Sequence, residues 1–410
     1  MLKALKIRLY PNKHQENYML SLLGSYRFVY NQCLNLKKTK YVEEGKNIGL
    51  KELGNFFHQQ LTKNPEYIWL KEHNTKVLKQ SVINLLDSYK RFFVNGTGFP
   101  KFKSKHDNQH SCRFPFEAIS KKNDYSTYKL TLTTDLKNIK FACSEKYVNY
   151  LVKHKENIKS ATLTKTKSGK YFLSILVDGD IDKVLYTPKN DIIGIDLGIN
   201  TFIVDSKGNE YENIKIKRNN ENKLAKLNRE LSRKQKGSKN KNKSRIKLAK
   251  FHEKLNNKKQ EYLHYITNKL LNENQVIVVE DLNVKGMMQN HKLARSLQEL
   301  SLYRFKEMLT YKAEWFGRHI VEIDRFYPSS KKCSCCGNKK EDLTLEDREY
   351  SCNSCGLVID RDMNAAINIE KEGGRILNNK IPIRCGELTL MDRSHVTLDE
   401  IGNKNLGKFV

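Results

Sequence analysis

Apolar and basic residues alternate along the opening stretch LKALKIRLY, and that two-residue period predicts a strand. Pro11 and Asn12 then open a helical pattern that sets Leu20, Leu23, Tyr30 and Leu34 on one broad side. A second helix is predicted from Thr75 to Val94, where Leu78, Val82, Leu85, Tyr89 and Phe92 recur at intervals of three and four. Between Asn95 and Lys105 the sequence NGTGFPKFKSK breaks the period with Gly and Pro and interleaves Phe99 and Phe102 with Lys101 and Lys103. Such a loop suits stacking on bases and gripping phosphates, although a plain basic surface loop with one buried Phe has the same composition.

From about Tyr125 to Asp180 the pattern is that of strands: YKLTLT, NIKFACS, then ATLTKTK and YFLSILVD around a Lys-Ser-Gly turn. A linker containing Pro188 leads to the apolar strand DIIGIDLGIN and to a hairpin, TFIVDSKGNEYE, turning at Ser206 to Asn209. Leu224, Leu227 and Leu231 mark one helix and Leu255, Tyr262, Ile266 and Leu270 another, with KGSKNKNKS as a flexible turn between them. QVIVVEDLN predicts a short buried strand from Gln275 to Glu280. One long amphipathic helix follows through Leu297, Leu300, Phe305 and Leu309, and a last strand, HIVEIDRF, ends before Pro328. Strands and helices in this order suit an α/β domain with a mixed central sheet.

Charge narrows the class of partner. The 410 residues carry 75 Lys+Arg against 46 Asp+Glu, a formal charge of +29, which points to a polyanion. Nucleic acid is preferred over membrane, because no apolar run approaches the ~20 residues of a spanning helix and the first residues lack the apolar core of a signal peptide. A cytosolic protein is expected. Between Lys223 and Lys259 fifteen lysines and arginines stand against Glu230 and Glu253. Arg229, Arg233, Lys234, Lys236, Lys239, Lys243 and Arg245 are the candidate nucleic-acid contacts there, since self-repulsion of such a run favours a role on an anion.

Two constellations carry chemistry. Asp196 ends the apolar run IIGI, Glu280 ends VIVV, and Asp362 precedes the helix-like MNAAINI. Acids delivered to the ends of elements in a sheet-based domain can converge on one edge, where carboxylate oxygens suit Mg2+ or Mn2+. Two such ions about 4 Å apart serve an in-line phosphodiester displacement. Singly each acid reads more simply as a turn or helix-cap residue; jointly, beside the charge run, they read as a site. GIDLG also resembles the first strand of actin-like ATPases, but no second Gly-rich phosphate loop follows. Of nine cysteines, Cys333, Cys336, Cys352 and Cys355 form two CxxC pairs fifteen residues apart, the spacing of a four-thiolate zinc ribbon. Gly337 and Gly356 follow each second cysteine, a shared register that leaves Cys335 spare. Four thiolates close a tetrahedron, so this zinc is expected to be structural. The pattern belongs to a reducing compartment, without disulfides.

Taken in order, GIDLGIN, LSRKQKGSKNKNKSRIKLAKFHEKLNNKKQEYLHYIT, VVEDLNVKGM, FYPSSKKCSCCG and CNSCGLVIDRDMNAAINI resemble the TnpB family, insertion-sequence-encoded nucleases related to the type V CRISPR effectors. KALKIRLYPNKHQ and GFPKFKSK extend the likeness over most of residues 1 to 370. The resemblance implies an α/β multidomain protein. A RuvC nuclease domain of ribonuclease-H-like fold would occupy 188–330 and 358–372, with a zinc-ribbon insertion at 331–357. A β-rich wedge would lie at 1–10 and 110–187, a helical recognition domain at 11–109, and a tail at 373–410. It also implies a guide RNA made from the element's end, a double-stranded DNA target beside a short flanking motif, one protein per RNA, and action at the nucleoid of a prokaryote. Asp196, Glu280 and Asp362 would hold two Mg2+, with Asp360 in reserve and Asp281 an unassigned neighbour. The competing readings are an RNA-guided DNA-binding repressor, which would normally show a broken triad, a transposase or its accessory, and a guide-independent nuclease. No His-x-His pair with a nearby Tyr is present to support a single-strand transposase.

Overall fold

In the computed structural model, which describes residues 2–106, 110–179, 190–344 and 347–380, the alternating first stretch is strand β1 (Leu2–Tyr10), with Leu5, Ile7 and Leu9 buried. The chain divides into two units, one drawn from residues 1–181 and 227–253, the other from 182–226 and 254–410.

In the first unit, Asn12 starts α1 (Lys13–Glu44) with a capping box: its side chain accepts from the Gln15 N–H at 2.8 Å, and the Gln15 side chain accepts from the Asn12 N–H at 2.9 Å. Met19, Leu22, Leu23, Tyr26, Val29, Tyr30 and Leu34 face the core, whereas Leu20, expected on that face, is 41% exposed. After α2 (Leu50–Asn55), α3 (Thr75–Asn95) starts at Asn74 and buries Val77, Leu78, Val82 and Leu85. Then come β2 (His110–Pro115), β3 (Lys129–Leu130), β4 (Ile139–Ala142), α4 (Glu145–Lys153), β5 (Ile158–Lys165) and β6 (Tyr171–Asp178). They build a sheet in the order β2-β5-β6-β1-β4-β3, in which β1 is antiparallel to both β6 and β4. The run YKLTLT is strand only over β3. Asn123 holds the next residue by its backbone, accepting from the Thr131 N–H at 2.7 Å and donating to the Thr131 carbonyl at 2.9 Å, which takes both groups out of the ladder.

The second unit contains β7 (Asn190–Leu197), β8 (Thr201–Asp205) and β9 (Glu210–Glu212), after which α5 (Glu221–Ser232) and α6 (Lys239–Glu273) carry residues of both units. It continues with β10 (Asn274–Glu280), α7 (Val284–Met287), α8 (His291–Leu300), α9 (Leu302–Phe316), β11 (His319–Ile323), β12 (Glu349–Ser351), β13 (Val358–Asp360) and α10 (Arg361–Lys380). Three expectations change here. The turn KGSKNKNKS is already helical from Lys239, because Ser238 accepts from the Lys241 N–H through its hydroxyl and from the Asn242 N–H through its carbonyl. The single long helix is two, broken where Ser301 takes a φ of +56°. The strand expected at HIVEIDRF, β11, stops at Ile323, not Phe326.

The sheet of this unit runs β11-β10-β7-β8-β9, with β11, β10 and β7 parallel and β8 and β9 antiparallel. Ile193, Ile195, Ile277 and Val279 enter a core with Leu263, Ile266, Leu270, Phe305 and Leu309 of α6 and α9. On the other face Ile192, Val278 and Ile323 pack with Ile369 of α10. Both faces are covered, which is why IIGI and VIVV read as unbroken apolar runs. Among the described residues, no helix is long and apolar enough to cross a membrane.

Candidate active site and metal centre

Register brings two of the acids together. Val278 of β10 pairs with Gly194 of β7 in parallel, and two residues further along each strand stand Glu280 and Asp196, at the same end of neighbouring strands. Side chains two apart share a face, so Asp196 points to the side of Gly194, and Glu280 to the side of Val278. That side is covered by α10. A Cβ on Gly194 would overlap the Ala366 carbonyl oxygen and the Glu370 nitrogen, and one on Gly373 would overlap the Val278 side chain. Two glycines, one on the strand and one on the helix, therefore let α10 lie directly on the sheet. Its first turn carries Asp362.

The electrostatics follow from this crowding. Burial, then the charges of Glu280 and of Asp362, push the Asp196 carboxyl up to about 7, with Arg361 opposing them. Burial also raises Glu280, while the Ser329 hydroxyl, which donates to Glu280 Oε1 at 2.5 Å, lowers it. Arg361 pairs with Asp362 Oδ1 at 3.1 Å and donates to the Thr344 carbonyl at 3.3 Å. The neighbours of the three acids have other work. Asp360 Oδ1 accepts from the Asp362 and Met363 N–H groups, both at 2.9 Å, and so caps α10. Asp281 is paired with Arg325 and, at 3.5 Å, with Lys306, which also holds Glu322 at 2.8 Å.

The four cysteines form a closed cluster. The sulfurs of Cys333, Cys336, Cys352 and Cys355 all lie within 4.8 Å of one another, with Cys333 to Cys355 and Cys336 to Cys352 each 3.6 Å apart. A tetrahedron of sulfurs about 2.3 Å from a zinc has edges of about 3.8 Å, so the donor set and its spacing fit that ion. The two knuckles repeat one geometry: Gly337 and Gly356, at φ +79° and +71°, donate to the Cys333 and Cys352 carbonyls at 3.0 Å. Backbone N–H groups of Cys355 and Ser354 pull the Cys352 thiol down to about 6, while, against a backbone N–H, burial and the neighbouring sulfurs push Cys355 up to about 12, so Cys352 is the first of the two to become a thiolate. Cys335 is exposed and outside the cluster. Among the described residues this is the one group of three or more His, Cys, Asp or Glu side chains gathered tightly enough for an ion; the three carboxylates share a field without closing to that spacing.

The basic candidates are separate from both centres in sequence and lie on the surface. Arg229, Arg233, Lys234, Lys236, Lys239, Lys243 and Arg245 are all at least partly exposed, Arg245 donating to Asn242 Oδ1 at 2.9 Å. In the Asn95–Lys105 loop Phe99 and Phe102 are exposed with the Lys38 ammonium over both rings, and Lys101 is exposed. Lys103 instead lies over the Tyr30 ring at 3.8 Å, its backbone clamped by Asn31. Ser329, Arg361 and the pair Gly194 and Gly373 had no part in the sequence expectations. The serine stands within PSSKKC, where only its seat beside Glu280 distinguishes it.

Comparison with known proteins gives the family of the chain. A "Putative RNA-guided DNA endonuclease" of Streptomyces pristinaespiralis is 32% identical over 371 residues, covering 90% of this chain and 89% of that protein. The chain belongs to the TnpB family. The "Putative RNA-guided DNA endonuclease InsQ" of Escherichia coli (strain K12) is 27% identical to this TnpB-family chain, over 96% of both. Three family models match: "Probable transposase" at residues 180–291, "Helix-turn-helix domain" at 1–46, and "Cas12f1-like, TNB domain" at 303–369. Over residues 2–44 the structure has a strand and one unbroken helix rather than two helices and a turn. The protein of the "Cryo-EM structure of the Cas12f1-sgRNA-target DNA complex" shares the fold at 14% identity and a TM-score of 0.53, over 90% of this chain and 98% of that one.

Proposed function

We propose that this TnpB-family protein is an RNA-guided DNA endonuclease of an insertion-sequence element, with Asp196, Glu280 and Asp362 as its catalytic carboxylates. The observation that carries this reading is the convergence of those acids, Asp196 raised by burial and then by the charges of the other two, beneath a helix seated on Gly194. Three crowded carboxylates repel one another, and a divalent cation relieves that repulsion. On this reading the second unit is a RuvC-type nuclease domain, 188–330 and 358–372, of ribonuclease-H-like fold, and 331–357 is a zinc-ribbon insertion contacting target nucleic acid. Residues 1–10 and 110–187 form the wedge, and 11–109 the recognition domain. The stretch 373–410 is a tail, of which 373–380 continue α10 and the remainder lies outside the described residues.

The three carboxylates would hold two Mg2+, with Mn2+ as a substitute. When bound, these ions activate the attacking water and neutralise charge on the leaving oxygen of the phosphodiester. Ser329 occupies one oxygen of Glu280, and Arg361 one oxygen of Asp362, so each acid is oriented before a ligand arrives. Cys333, Cys336, Cys352 and Cys355 would hold one zinc with no open position, a structural role. The exposed lysines and arginines of α5, of α6 and of the turn between them, with the Phe99–Lys101 loop, grip nucleic-acid backbone, while guide pairing reads the target and the protein reads a short flanking motif. The guide comes from the element's end, the target is double-stranded DNA, and one chain acts per RNA, in a prokaryotic cytoplasm at the nucleoid.

The test is purification with co-expressed flanking DNA, sequencing of bound RNA, and Mg2+-dependent cleavage of a matched library with randomised flanks, beside Asp196→Ala. RNA-dependent cutting abolished by the substitution supports the reading. Bound RNA and target binding without cutting by either protein would replace it with a repressor.

A further inference from the structure

One face of α10 is polar where it should be apolar. Asn364 and Asn368, four apart and therefore on the same side of the helix, are 0% and 2% exposed, and both are engaged with one short segment, Ser329 to Ser334. The Ser334 N–H donates to Asn364 Oδ1 at 2.9 Å, and Asn364 Nδ2 donates to the Lys332 carbonyl at 2.8 Å. Asn368 Nδ2 bridges the Ser329 and Lys332 carbonyls at 2.8 and 2.6 Å. One turn on, Lys371 donates to the Ser334 carbonyl. This segment leads from the residue that holds Glu280 to the first cysteine knuckle: the Ser329 hydroxyl is on Glu280 Oε1, and Cys333 lies between the two residues whose backbones Asn364 grips. Burying two amides is favourable only when their partners are met, and here the partners are the backbone of one short strip.

Resting on the active-site reading above, we propose that Ser329 is a positioning residue for Glu280, and that Asn364 and Asn368 tie it to the cysteine knuckle. Zinc at the four sulfurs and a divalent ion at the carboxylates then bind with positive coupling. The knuckle fixes Lys332 to Ser334; the two amides transmit that fixity to Ser329; its hydroxyl sets which oxygen of Glu280 is free. Outer partners of this kind commonly change metal affinity about 10- to 100-fold, and such coupling is reciprocal.

The experiment measures Mn2+ binding to the full chain loaded with guide RNA by electron paramagnetic resonance, with the Asp196→Ala complex as the blank for sites on RNA. Zinc content, melting temperature and target binding are measured alongside. Ser329→Ala is expected to weaken the Asp196-dependent Mn2+ by about 10- to 100-fold while one zinc per chain, the melting temperature and target binding stay as in the wild type. Cys336→Ser, which opens the zinc site, is expected to weaken it in the same direction, and adding Ser329→Ala to it to cost little more. Unchanged Mn2+ affinity in Ser329→Ala overturns the proposal whether or not the cysteine variant folds, and independent, additive losses overturn the coupling. If the wild type and Asp196→Ala bind Mn2+ alike, the active-site reading falls and the coupling with it.

Discussion

Gly194 of β7 lies against the backbone of Ala366 in α10 so closely that no side chain fits between them. The same strand carries Asp196 two residues later and the first turn of the helix carries Asp362, so the seat of the helix bears on how Asp362 stands to Asp196. Gly194→Ala must push α10 off the sheet, and overpacking of this kind costs about 1–3 kcal/mol. A lower melting temperature and a larger loss of cleavage than of guide or target binding are expected, read by calorimetry and by a cleavage time course. An alanine variant that cuts at the wild-type rate would show that the helix spacing is not what sets the site.

On the proposed reading Asp360 and Asp362 have different roles. Asp360→Ala removes the cap of α10 and should cost about 1 kcal/mol of stability with cleavage retained. Asp362→Ala should abolish cleavage, leaving the cap and the fold intact. Swapped outcomes in a paired melting and cleavage assay would exchange the assignments.

Cys335→Ser is expected to leave one zinc per chain, since its sulfur lies outside the cluster. Cys352→Ser should lose that zinc, because it removes a thiol drawn toward ionisation by its own knuckle. Metal analysis of the two purified variants checks this directly.

Neutralising Arg233, Lys234, Lys236, Lys239, Lys243 and Arg245 to glutamine should weaken nucleic-acid binding and flatten its salt dependence, by about 0.7–0.9 in slope for each phosphate that is no longer neutralised. An unchanged slope in titrations across salt concentrations would remove the turn between α5 and α6, and the start of α6, from the interface.

Lys312 of α9 is 4% exposed and donates to Thr267 Oγ1 at 2.7 Å and Asn268 Oδ1 at 2.8 Å on α6. Burial lowers its amine from 10.5 to about 8. Between those values the unfolded chain binds more protons than the folded one, so wild-type stability should rise from pH 8 toward pH 10.5 and this gain is lost as pH falls through 8. The window is worth on the order of 3 kcal/mol at most. Lys312→Met lacks that slope, so the stability difference between the two proteins should shift in the wild type's favour with rising pH in denaturant titrations.

Features whose physical cause is local were legible in the sequence. Spacing and the following glycines named the four sulfurs that meet, because a knuckle is closed by its own backbone within five residues. Alternation predicted β1, and apolar runs predicted β7 and β10 with their terminal acids, because each strand is covered on the faces its pattern records. Where a side chain redirected the backbone, pattern was silent: Asn123 shortened β3, Ser238 lengthened α6, and Ser301 divided a helix that periodicity alone had joined. Which acids share a field was settled by tertiary packing. It depends on the parallel register of Val278 with Gly194 and on α10 packing through glycines, relations between segments more than eighty residues apart. The neighbours of the acids are otherwise engaged, Asp360 by a local cap on the backbone two and three residues on, and Asp281 by its tertiary pairing with Arg325. Ser329, Asn364 and Asn368 acquired meaning there too, since an amide or a hydroxyl carries no signal until its partner is in place.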